Sequence, residues 1–67
     1  MITIHQSAKY SAHLLNSSGL IIESNSKQGG VQLRKDHPQY GESVDALRTA
    51  IDSDEADALC RALIKDK

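Results

Sequence analysis

The last fifteen residues restrict this chain more than any other stretch. Ala56, Leu59, Cys60, Leu63 and Ile64 recur at i, i+3, i+4, i+7 and i+8, which sets one apolar stripe along an α-helix. Acidic residues crowd the start of that helix (Asp52, Asp54, Glu55, Asp57) and basic residues its end (Arg61, Lys65, Lys67). Both placements complement the helix dipole. Asp52 with Glu55 three residues on reads as an aspartate version of the capping box. Asp57 and Arg61 add an i, i+4 pair in the favourable order. A helix marked this clearly needs a surface to lie on.

The first half of the chain supplies a sheet. Met1–His5 opens with alternating isoleucines, a strand pattern. Lys9–Leu15 fits two readings. A helix would gather Ala8, Ala12 and Leu15, with Ser7 as cap, whereas a strand would gather Tyr10, Ala12 and Leu14. The following Asn16-Ser17-Ser18-Gly19 suits a type I turn closed by glycine at positive φ, and Leu20–Ser24 begins with three aliphatics. That turn favours a hairpin of Lys9–Asn16 with Leu20–Ser24. After the loop Asn25–Gly30, Val31-Gln32-Leu33-Arg34 alternates again, so Leu20, Ile22, Val31 and Leu33 would share the buried face.

Pro38 ends the strands and disfavours helix at His37. Ser43 is a suitable cap for a helix on which Val44, Leu47 and Ile51 repeat at i, i+3 and i+7. The stripes of Ile51 and Leu59 do not align on one helix, because eight residues rotate the stripe by about 80°. Either the chain breaks near Asp52–Ser53, or one long helix carries two apolar faces. The expected fold is α+β: an N-terminal antiparallel β-meander of three or four strands packed against one or two C-terminal α-helices. Residues 1–67 form a single small domain, with 1–35 mainly β and 42–66 helical.

Composition narrows the function classes. The chain has no Phe or Trp and two Tyr, and its fifteen Leu, Ile and Val make a modest core. Domains of this size commonly add a disulfide, a metal or a partner chain. Cys60 is the single cysteine, so no intramolecular disulfide forms, and it falls within an apolar stripe. His5, His13 and His37 are dispersed, with no pair at i, i+4. Neither metal nor cofactor is expected, and self-association is left as the staple. No apolar run approaches the ~20 residues that span a membrane, and no secretory leader is seen. A cytoplasmic protein is expected.

Several short motifs have ordinary explanations. Ser24-Asn25-Ser26-Lys27 spells S-x-x-K, but it falls in a loop and lacks the partner motifs of the hydrolases that use it. Helix capping accounts for the acids around Asp54 without a cation. Gly29-Gly30 precedes a strand, unlike a phosphate-binding loop. His37, Tyr40 and Glu42 cluster around Pro38 with little wall to build a pocket.

Charge is near balance overall, at −1, but residues 1–35 carry four bases and one acid, and 36–67 carry four bases and eight acids. Lys27, Arg34 and Lys35 could contact nucleic acid from the hairpin, although only Tyr10 and Tyr40 could stack bases. The expected function is that of a non-enzymatic, self-associating protein-interaction or regulatory module, in its simplest form a homodimer. Its interface would be Leu59, Cys60, Leu63 and Ile64, with a sheet edge as a further contact. Nucleic-acid binding is the alternative.

Overall fold

The computed structural model describes residues 1–16, 18–26 and 29–65, Lys65 by its backbone. Four strands, β1 (Ile2–Gln6), β2 (Tyr10–Leu15), β3 (Gly19–Ser24) and β4 (Gly30–Leu33), pair in sequence order as an antiparallel meander. Two helices, α1 (Tyr40–Thr49) and α2 (Ser53–Lys65), follow and pack on one face of the sheet. The α+β architecture read from the sequence is the one observed.

Lys9–Leu15 resolves as strand. Its inward residues Ala12 and Leu14 register with Ile22 and Leu20, and these in turn register with Val31 and Leu33. Ala12, Leu20 and Ile22 have no exposed surface, and Leu33 retains 4%. Val44 and Leu47 of α1 and Ala56 and Cys60 of α2 close the core from above. Small residues are buried in both layers, so the helix can approach closely without large aromatics to fill a gap.

Gly19 fits the turn for two reasons. Its φ is +121°, and a Cβ there would lie 2.1 Å from the Leu33 carbonyl oxygen on β4. Both the backbone angle and the neighbouring strand require a residue without a side chain.

β1 departs from simple alternation. Its register with β2 shifts between Thr3 and His5, a bulge that opposes His5 to Ala12. Alternation from Ile2 and Ile4 would send His5 to the bare face. With the extra residue, Ile4 packs against the core and His5 also reaches the helix layer.

The helices begin and end differently from two of the sequence expectations. α1 starts at Tyr40, before the Ser43 cap, because the turn at Pro38 runs straight into it: Tyr40 N–H donates to the His37 carbonyl at 3.0 Å and Gln39 N–H to His37 Nδ1 at 3.1 Å. Ser43 is instead a buried residue of the first turn. Ile51 does not continue the α1 stripe. Ala50 leaves the helix at ψ 133°, and Ile51 stands 89% exposed in the connection. The chain thus breaks into two helices. Half of the expected capping box forms at Asp52, whose Oδ1 accepts the Glu55 N–H at 2.8 Å; Glu55 Oε2 reaches one residue further back than the cap, to the Ile51 N–H at 2.8 Å.

Gly19→Ala is expected to destabilise the fold by about 2 kcal/mol or more, from strain and a backbone clash. Gly41→Ala, in the first turn of α1 with nothing within 4 Å of the added Cβ, should be neutral or stabilising by up to about 1 kcal/mol. Urea melts of the two variants check the contrast.

Candidate functional site

At the end of the sheet formed by the β1–β2 turn, a polar cluster fastens α2. His5 Nε2 lies 2.7 Å from Asp57 Oδ1, and the Ser7 hydroxyl donates to the same oxygen at 2.7 Å. A carboxylate only accepts, so His5 carries its proton on Nε2. Ser7 Oγ accepts the N–H groups of Lys9 and Tyr10, both at 3.1 Å. Asn25 completes the set: its side-chain amide donates to the Ser7 carbonyl at 2.8 Å and its Oδ1 accepts the Ser11 hydroxyl at 3.1 Å. Its own N–H donates to the Lys9 carbonyl at 2.8 Å.

A serine, a histidine and an aspartate in bonding distance resemble the parts of a hydrolase triad, but their order differs. In a triad the histidine stands between the other two and takes the serine proton. Here Asp57 stands between, and the Ser7 hydroxyl is committed to the carboxylate and the turn. The arrangement holds a turn onto a helix.

The electrostatics agree with that role. Burial by itself would raise the Asp57 carboxyl, but the hydrogen bonds from Ser7 and His5, with the charges of His5 and Lys9, outweigh it and hold the group below its usual range. Burial, aided by the negative charge of Asp57, pushes the Cys60 thiol up to about 11. Cys60 is therefore a protonated, apolar part of the core. The sequence reading paired Asp57 with Arg61 along the helix. The β1 bulge, which has no evident mark in the sequence, is what brings His5 to Asp57 instead.

Of the four residues expected at an interface, Cys60 has no exposed surface, while Leu59, Leu63 and Ile64 are half-buried against the core. Leu59 and Leu63 also line a groove of about 200 Å³ between the helices, with Ala46, Ala62, Ser43 and Glu42. On the opposite flank of α2, a hollow of about 240 Å³ is bounded by Lys9, Tyr10, Asp54, Asp57, Ala58 and Arg61. Between the two runs an exposed ridge of Asp54, Ala58, Arg61 and Ala62. The sequence reading did not single out Ala58, yet its spacing from Asp54 and Arg61 already puts it on their face.

Arg34 and Lys35 follow β4 and line an open hollow of about 540 Å³ with Ser18, Gln32 and Asp36. Lys35 Nζ donates to the Asn16 carbonyl at 2.9 Å. Lys27, the third basic residue of the expected nucleic-acid contact, lies outside the described residues. His37 and Tyr40 are drawn into the start of α1, with Tyr40 packed against the core. Among the described residues, no helix is long and apolar enough to cross a membrane.

Removing the Asp57 carboxylate takes this acceptor from His5 and leaves the Ser7 hydroxyl only the long contact to the Tyr10 carbonyl at 3.4 Å, so Asp57→Ala should cost about 1–3 kcal/mol at neutral pH. The folded Asp57 titrates below its unfolded value. Its contribution is therefore complete above about pH 4 and is lost as pH falls through the folded value. Urea melts at neutral and acid pH should show a smaller acid loss in Asp57→Ala than in the parent; equal losses would remove Asp57 from this role. Cys60 should resist a thiol reagent until the chain unfolds, with labelling tracking the denaturation curve. Comparison with protein-family models, characterised proteins and solved structures finds no match to this chain.

Proposed function

We propose that this chain is a small non-enzymatic interaction module that works as a homodimer, presenting the outer side of α2 and the groove beside it to another copy. The observation that carries this reading is the division of α2 into two used faces. Its inner stripe, with Ala56 and Cys60, is buried in the core, while Leu59 and Leu63, packed at the core's margin, keep part of their surface open in the groove beside α1. Leucines left partly open in a formed groove favour a partner that covers them. The single thiol, free and buried, suits the reducing cytoplasm where we place the protein.

Nucleic-acid binding is the second reading, favoured by the adjacent Arg34 and Lys35 around an open hollow of about 540 Å³. Against it, Asp36 brings a carboxylate into the same hollow and Lys35 already serves a backbone carbonyl. Phosphate contacts would make such binding strongly salt-dependent.

Size-exclusion chromatography with light scattering, read at two absorbance wavelengths, tests both. A mass twice the 7.3 kDa of one chain, free of nucleic-acid absorbance, is expected. A monomer across the concentration range would overturn self-association. Co-eluting nucleic acid that is lost in Arg34→Glu/Lys35→Glu would favour the second reading.

A further inference from the structure

We infer that two copies dock through α2 in an antiparallel arrangement, with Ala58 at the twofold axis. This rests on the self-association reading above and adds the geometry and the charge pairs that select it. The exposed ridge of α2 reads acid, small, base: Asp54, then Ala58, then Arg61 and Ala62. In an antiparallel pair centred on Ala58, residues equally far before and after it lie opposite. Asp54 and Arg61 lie on the same side of Ala58, so Asp54 then meets Arg61 of the other copy. Twofold symmetry makes each contact occur twice. A parallel pair would set acid against acid and base against base, so the charge pattern selects the antiparallel one.

The shape of the surface fits this docking. The ridge is flanked by a groove on each side, one toward α1 floored by Leu59 and Leu63, the other toward Lys9 and Tyr10. With Ala58 on the axis the two ridges lie against each other, and the groove of each copy flanks the contact. Ala58 leaves room at the point of closest approach.

The test uses the full chain and substitutions at exposed positions, so circular dichroism and melting should show the fold intact throughout. Ala58→Arg places a large cation on the axis against its own copy and is expected to give a monomer. Arg61→Glu turns the cross-axis attraction into repulsion and should weaken the dimer by about tenfold or more. Adding Asp54→Lys to Arg61→Glu should recover part of that loss, which a merely local effect of either change would not do. Dimer affinity of the parent should fall with added salt. A parent dimer untouched by both Ala58→Arg and Arg61→Glu would overturn this geometry and leave self-association standing. A parent that is monomeric would remove both.

Discussion

The contact between α2 and the sheet is what the rest of the molecule depends on. The core has no phenylalanine or tryptophan to span a wide gap, so helix and sheet must come close, and each layer buries small residues that allow it: Ala12 on the sheet, Ala56 and Cys60 on α2. Leu20, Ile22 and Leu33 fill the space to one side and Val44 and Leu47 of α1 fill the rest. A short core of this kind tolerates little displacement of α2, because each aliphatic has few neighbours to fall back on. The polar cluster around Asp57 works at the rim of the same contact. It fixes where along the helix the β1–β2 turn attaches, and so sets the register of the helix on the sheet.

Much of this was legible in the sequence, for identifiable reasons. The stripe of α2 and its cap at Asp52 were visible because helix periodicity and cap chemistry are local. The β2–β3 hairpin followed from a turn whose glycine is required both by its own φ and by the Leu33 carbonyl, although only the first of these could be read beforehand. The misplaced start of α1 has an equally local cause. Pro38 set a turn that entered the helix directly, with His37 serving the first N–H groups, so the serine that looked like a cap was not needed as one. Ile51 matched the α1 stripe in spacing but lies past Ala50, where the backbone leaves the helix, and its N–H is taken up by the Glu55 side chain.

The cluster at His5, Ser7 and Asp57 was the part that sequence reasoning could not assemble. His5 and Asp57 are separated by almost the whole chain, and a bulge, which leaves no compositional sign, turns His5 toward the helix. The interface expectation divided along similar lines. One apolar stripe was read from five residues, but a helix lying on a sheet hides the centre of its stripe and leaves the margin. Cys60 went to the centre, and Leu59 and Leu63 to the margin. Any surface α2 offers to a partner is therefore built from that margin and from the charged ridge next to it.

The β1 bulge has a second effect, unconnected with His5. An open sheet has two outer strands, each with a row of backbone groups on which a neighbouring strand could grow. The shift between Thr3 and His5 breaks that row midway along β1, and at the other border β4 is four residues long and followed by Arg34 and Lys35. Neither border gives an incoming strand an uninterrupted ladder. End-to-end growth of one sheet into the next is thereby discouraged, and chains that meet at their borders are more readily released than built into a fibre.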